Sequence, residues 1–310
     1  MNGTSPQYCK WLCCWRAIRG LILLVAALQP GACTNGEPPP AQSQRIPPDS
    51  APVRVVSLSP AMSEAMVELG LGQRVVGRSP WCLAVGADVP VVGTLLDCDF
   101  ERLLASAPDL VLAQREQGAG PDELARFCAA QNIQLIQMRI DSIEDVEAMV
   151  QSLAARFGGE AMARAAAWQA RLRALDSNAS PSPTRVLILS EGAPFLAFGR
   201  GTYLDGMLGR LGLDNAANTT GYPTLLCEDL LAIDPDAILL IADEGKASDE
   251  LAGALNACGV RAALDGRVYA TGADALTPGA GLPSWGERVH RLLPLSGATR
   301  SERSPQERAR

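Results

Sequence analysis

The chain of 310 residues contains a single histidine, His290, and only two lysines, Lys10 and Lys246. A hydrolase built on a nucleophile, a base and an orienting acid normally needs a histidine beside its nucleophile. His290 instead sits in SWGERVHRLLP, where Trp285, Val289, Leu292 and Leu293 form an apolar helical face, and no G-x-S-x-G elbow occurs. Zinc and manganese sites draw on histidines, and no C-x-x-C pair stands in for them. No catalytic residue, protein-held metal or resident cofactor is therefore expected. The G-x-G-x-x-G spacing of a dinucleotide site fails in GRGTYLDG, residues 199–206, whose glycines read as a turn before a helix.

Long apolar runs are missing too. The N-terminal LILLVAAL, residues 21–28, is far shorter than the ~20 residues that span a bilayer. Lys10, Arg16 and Arg19 precede it and small residues follow, which is the layout of an export signal over residues 1–32. Cys33 stands where a bacterial lipoprotein carries its lipidated cysteine, although Pro30 occupies a place where leucine is usual. A lipid anchor on Cys33 and plain cleavage both stay open. Residues 33–52, rich in Pro, Ser and Gln, read as a flexible tether. Cleavage removes three basic residues and no acidic one, taking the formal net charge from −7 to −10. So acidic a chain argues against nucleic acid as a partner.

Nine cysteines become six after cleavage. Apart from Cys33 these are Cys82, Cys98, Cys128, Cys227 and Cys258, an odd number that excludes a fully paired framework. Export permits disulfides, and Cys82–Cys98 is a candidate pair across one loop. Cys82 could also ligate a soft metal or be a plain buried thiol.

From Arg54 onward, β-branched apolar runs alternate with helical patterns. RVVSLSP, RVVGRS, VPVVG, DLVLAQ and IQLIQMR read as strands, with SPAMSEAMVEL, ERLLASAP and PDELARFCAAQ as helices between them. This alternation predicts a largely parallel sheet with helices on its faces. Ser142 to Asp176 carries only helical spacing and is divided at Gly158-Gly159; RVLILSE, residues 185–191, restarts the alternation. ERLLASAPDLVL, residues 101–112, returns as EDLLAIDPDAIL at residues 228–239, with seven of twelve positions identical at an offset of 127. The repeat is one of domains: two α/β lobes whose loop-bearing strand ends face a shared cleft, where open α/β sheets bind ligands.

The order strand–Ser-Pro–helix, then E-x-L-L-x-x-x-P-D, then a helical connector and a second lobe, resembles the iron-chelate and cobalamin substrate-binding proteins of ABC importers. The resemblance runs from about Arg54 to Leu293. It implies two Rossmann-like lobes joined by one long rigid helix, the class III periplasmic binding protein fold. The implied segments are an N-terminal lobe over 53–141, a linking helical segment over 142–178, a C-terminal lobe over 179–295 and a tail over 296–310. It also implies a monomer that docks on a permease of the cytoplasmic membrane through one glutamate per lobe, at Glu101 and Glu228 here. The alternative for each is a carboxylate that merely favours a helix N-terminus.

Within the cobalamin branch, Tyr222-Pro223 resembles an aromatic-Pro pair that contacts the corrin. Gly192-Ala193-Pro194-Phe195 resembles a loop bearing a ligand-facing Phe195, and Gly272-Ala273-Asp274 a loop whose Asp274 meets the ligand. Trp81, in Ser79-Pro80-Trp81-Cys82, falls in a loop that carries an aromatic residue. Its alternative is a half-buried core ring, and Trp168 and Trp285 are expected to be packing. Departures from the branch are aliphatic and polar residues at Gly93-Thr94-Leu95 and Gln114-Arg115-Glu116, where tryptophans are expected. Another corrinoid, a haem or an iron siderophore thus remains open, with Arg115, Arg78, Arg139 and Arg200 as candidate partners for its carboxylate or catecholate groups. A scavenger of the same fold without a transport role is the rival of another class.

Overall fold

The computed structural model describes residues 52–115, 123–176, 184–190 and 194–293. The expected export signal over 1–32, Cys33, all but the last residue of the expected tether over 33–52, and the expected tail over 296–310 lie outside them.

The first half runs β1 (Val55–Ser57), α1 (Pro60–Glu68), β2 (Val75–Arg78), α2 (Phe100–Ala105), β3 (Leu110–Gln114), α3 (Glu123–Ala130) and β4 (Gln134–Met138). Its four strands are all parallel, in the order β2-β1-β3-β4. β1 and nearly all of β3 are buried, as expected of unbroken apolar strands covered on both faces. VPVVG is not a full strand: Val91 and Gly93 make only isolated bridges, to Arg78 and Cys98.

Two helices follow, α4 (Ile143–Phe157) and α5 (Gly159–Arg173), each of 15 residues. Ser142 and Asp145 close a capping box at the start of α4. Gly158 (φ 66°) and Gly159 (φ 52°) both lie in the left-handed region, so the chain turns between the helices where a side chain would be strained. The connector is therefore a packed helical pair and not one long helix. α4 packs on α1 of the first half and on α6 of the second.

The second half comprises β5 (Arg185–Ser190), β6 (Phe195–Ala197), α6 (Tyr203–Arg210), β7 (Asp214–Asn215), β8 (Thr224–Leu225), α7 (Cys227–Ile233), β9 (Ala237–Leu240), α8 (Lys246–Ala257), α9 (Arg261–Leu264), β10 (Val268–Ala270) and α10 (Leu282–Leu292). Its sheet has the order β10-β9-β5-β6-β8, with β7 on the first residues of β5. The strands β10, β9, β5 and β7 are parallel, whereas β6 pairs antiparallel with both its neighbours.

Residues alternate between cores along each strand. Val55, Val186 and Ile188 enter one large cluster with α1, α4, α5, α6 and α10. Val56 lies in a second cluster behind the first sheet, and Leu187 and Leu189 in a third behind the second. The large cluster reaches from one sheet to the other, and both sheets fall in a single compact unit.

The duplicated stretch has a structural use. Arg54, just before β1, donates from Nε to the carbonyl of Ala107 and from Nη2 to that of Ser106, while its backbone N–H is accepted by Asp109. Arg185 repeats the arrangement on Asp234, Ile233 and Asp236. Ala107 and Asp234, each preceding a proline, share left-handed φ values of 42° and 43°. Each helix thus ends on carbonyls held by an arginine, and the aspartate of Pro-Asp fastens the next strand to the first.

The disulfide joins Cys227 to Cys258, not Cys82 to Cys98. Cys82 is fully buried; its Sγ donates to the carbonyl of Ser57 and lies 3.3 Å from Ser79 Oγ. Cys98 is likewise a free thiol and contacts the Val92 carbonyl.

Candidate functional site

Parallel strands gather their outgoing loops at one edge of a sheet, and Trp81 after β2, Arg115 after β3 and Asp274 after β10 stand on such loops. After β2, the Ser79 hydroxyl accepts the N–H of Trp81 at 3.2 Å while Cys82 is anchored beneath it. This tight turn throws Trp81 outward, with 70% of its surface exposed. The alternative of a half-buried core ring is therefore not what the fold makes. Leu83 stands out beside it. Leu96, on the turn closed by Thr94 N–H to the Asp97 carbonyl, is 90% exposed. Neither leucine was legible as a surface residue from the sequence, since Leu83 sits among Trp81, Cys82, Ala84 and Val85 and Leu96 follows Leu95.

In the second half, the ring of Tyr222 meets Phe198 edge-on at 5.5 Å, and Phe198 meets Tyr203 likewise at 6.0 Å. The Tyr203 hydroxyl donates to the Ala275 carbonyl at 2.6 Å, tying the trio to the loop after β10. Tyr222 keeps 48% of its surface exposed. Burial, and then the Asp141 carboxylate at the end of the first half, raise its phenol above the ordinary range. Tyr222 is thus close to a charge from the other half, at the seam between the sheets.

Asp274 lies on the same loop, with both carboxylate oxygens 2.7 Å from Arg288 Nη2. Arg288 in turn donates from Nε to the Thr271 carbonyl at the end of β10. Half-exposed Leu276 follows. Glu64 of α1, overlooked in the sequence, reaches this loop from the first half. It was legible only as one of two acids, with Glu68, in a mostly apolar helix.

Phe195 needs correction. It is the first residue of β6, pairs with Leu225, and is wholly buried among Leu187, Leu189 and Ile238. Its ring belongs to the core and presents no face to a ligand. Trp168 and Trp285 are buried, as expected of packing residues. Three of the candidate arginines are committed: Arg78 to the Val89 and Ser79 carbonyls, Arg139 to Asp141 and Arg200 to Asp214. Arg115 is exposed at the carboxyl end of β3, where its N–H donates to the Met138 carbonyl. Among the described residues no cluster of three or more His, Cys, Asp or Glu could hold a metal, and no helix is long and apolar enough to cross a membrane.

Glu101 and Glu228 are each the second residue of their helix, and both are exposed. Asp99, whose N–H donates to the Val92 carbonyl, caps α2, and Asp229 accepts the Leu226 N–H ahead of α7. The helix starts are therefore satisfied by other carboxylates. Of the identical positions in the repeat, Leu103 and Leu230 are buried, and Asp109 and Asp236 make the arginine clasp. Glu101 with Leu104, and Glu228 with Leu231, are exposed at i and i+3 on one helix face and take no part in either.

Residues 55–275 match the family described as periplasmic binding protein. A vitamin B12-binding protein of Pectobacterium atrosepticum is 27% identical over 218 residues, covering 65% of this chain and 74% of that protein. A periplasmic heme-binding protein of Pseudomonas aeruginosa has a similar structure, with 27% identity and a TM-score of 0.62 over 79% of this chain and 94% of that one. A periplasmic vitamin B12-binding protein of Vibrio cholerae shares the fold, with a TM-score of 0.65 at 22% identity, covering 80% and 99% of the two chains.

Proposed function

The chain belongs to the periplasmic binding protein family, and we propose that it captures cobalamin or a related corrinoid between its two sheets and delivers it to an ABC permease. The observation that carries this reading is the exposure of two rings, Trp81 on the loop after β2 and Tyr222 just ahead of β8. A broad, flat, partly apolar chelate needs such rings, which offer much contact area at small entropic cost. Leu83, Leu96 and Leu276 add exposed apolar surface, and Arg115 can meet a polar group at the rim. The curated relative that binds vitamin B12 supports the same ligand class.

Haem is the second reading, favoured by the heme-binding relative at 27% identity. Tyrosine holds haem iron best as a phenolate, and burial together with Asp141 disfavours that form of Tyr222. A corrinoid arrives with its metal already ligated and asks only for contact. If haem is the ligand and Tyr222 its ligand atom, Tyr222→Phe abolishes the Soret shift on haem addition; if the corrin is merely stacked, Tyr222→Phe leaves cobalamin affinity nearly unchanged.

Delivery rests on Glu101 and Glu228, with Leu104 and Leu231 beside them. Two matching acidic-and-apolar faces suit a partner that offers two similar basic-and-apolar sites. Residues 1–32 direct export and Cys33 is the candidate lipid anchor, so the protein works outside the cytoplasm. The docking claim is tested by Glu101→Ala/Glu228→Ala, which should bind corrinoid as the wild type does and fail to support its uptake. Unimpaired uptake would return both glutamates to the role of helix-terminus charges.

A further inference from the structure

The repeat runs further than its first twelve residues. Glu123-Leu124-Ala125, which opens α3, returns as Glu250-Leu251-Ala252 within α8, again at an offset of 127. The backbone keeps that register past the ends of both helices. Gln131 N–H donates to the Phe127 carbonyl and Ile133 N–H to that of Cys128, while Cys258 donates to Ala254 and Val260 to Leu255. Asn132 and Gly259 share the left-handed region, with φ of 55° and 77°. The starts of α2 and α7 agree as well, with Leu103 N–H on the Asp99 carbonyl and Leu230 N–H on that of Leu226. In this register Cys227 stands where Phe100 stands, and Cys258 where Gln131 stands.

Both halves tie these positions together. In the second, the disulfide Cys227–Cys258 joins the first residue of α7 to the residue after α8. In the first, the ring of Phe100, the first residue of α2, stacks on Phe127 with centroids 4.2 Å apart. Phe127 lies one turn before Gln131, on the same side of the chain as it leaves α3. A covalent bond in one half and an aromatic pair in the other thus make the same helix-to-helix tie. Each tie directly precedes an exposed glutamate, Glu228 or Glu101. At the far end of each helix, Arg54 holds the Ser106 and Ala107 carbonyls, and Arg185 those of Ile233 and Asp234. α2 and α7 have only six and seven residues, too few to persist on helix propensity alone. Their direction is set by what holds the two ends, and the glutamate-leucine face lies between those ends.

We propose that the Cys227–Cys258 disulfide and the Phe100–Phe127 stack are matched positioning devices, fixing the direction in which Glu228 with Leu231 and Glu101 with Leu104 face the permease. The proposal rests on the docking reading for what those faces meet, and on the fold alone for how they are held. Trp81 and Tyr222 belong to neither tie, so loosening a tie impairs delivery and spares capture.

The test first follows two amides of the full chain by site-resolved hydrogen exchange: Leu230 in α7, and Ile241, whose N–H donates to the Leu189 carbonyl of β5. Cys227→Ser/Cys258→Ser should speed exchange at Leu230 by about tenfold more than at Ile241. An equal change at both amides means general destabilisation and overturns the proposal. Phe127→Ala should act in the same way on Leu103, relative to Leu58, whose N–H donates to the Leu112 carbonyl. If the double variant does not fold, dithiothreitol opens the bond in the wild type instead. The reagent passes two electrons and two protons to the cysteine sulfurs and closes to its own disulfide; an unmoved Leu230 then overturns the proposal. Delivery is read as uptake of labelled cyanocobalamin by cells whose own copy is replaced by each variant. Both tie variants should lower uptake while binding cyanocobalamin as the wild type does. Uptake lost in Glu101→Ala/Glu228→Ala but kept in both tie variants overturns this proposal alone. Uptake kept in all three overturns the docking reading and the proposal with it.

Discussion

Trp81 and Phe195 are both rings near the carboxyl edge of their sheets, and the fold treats them oppositely. Ser79 and Cys82 pin the turn from inside and leave Trp81 in solvent, whereas the antiparallel pairing of β6 turns Phe195 into the core. Trp81→Ala should therefore weaken ligand binding by ~1–3 kcal/mol while leaving the denaturation midpoint nearly unmoved. Phe195→Ala should cost ~3–5 kcal/mol of stability, read from urea unfolding, and affect binding only through that loss. A Trp81→Ala protein that binds normally would remove the ring from the site. The sequence placed both aromatics near the right edge, because Ser-Pro and Ala-Pro mark where strands end. Which one stays in water depended on a buried Ser–Cys contact and a strand register, and neither is written in local residue order.

At the scale of elements, the repeat was legible and its meaning was mixed. The glutamate at its head attracts attention first, yet the arginine clasp explains Asp109 and Asp236, leaving the glutamate, the exposed leucine and the alanine after it as identical residues that neither core nor clasp uses. Asp109→Ala and Asp236→Ala should each cost ~1 kcal/mol, visible as a melting temperature lower by about 2–4 °C. No such loss in either variant would mean the clasp is incidental. The disulfide was missed in the sequence because its cysteines are 31 residues apart with α7, β9 and α8 between them. It ties the first residue of α7, next to Glu228, to the end of α8. Cys227→Ser/Cys258→Ser should lower stability by ~2–4 kcal/mol and spare chelate affinity; an unchanged unfolding midpoint on reduction would contradict the link. The division read at Gly158-Gly159 separates two helices, α4 and α5, because consecutive left-handed glycines turn the chain there. Gly158→Ala should accordingly cost ~1–3 kcal/mol, since its φ of 66° and ψ of −161° suit glycine almost alone.

Over the whole molecule, a parallel sheet and a mixed one share one continuous core through α4, α5 and α10. Prying the sheets apart would expose that core, so a largely preformed site is expected, with little closure on binding. The alternation of strands and helices, together with the repeat, was enough to read this architecture from the sequence. The seam was not, because it depends on Glu64 coming near Tyr203 and Asp141 near Tyr222, partners far apart along the chain. The central claim is that the exposed rings receive a flat metal chelate, and the most direct measurement is a fluorescence titration of residues 34–310. This chain keeps three tryptophans, of which only Trp81 is exposed. Cyanocobalamin, haem and a ferric siderophore would be titrated in parallel. Saturable submicromolar quenching by cyanocobalamin, lost in Trp81→Ala, is the predicted result; no saturable quenching by any of the three would contradict it.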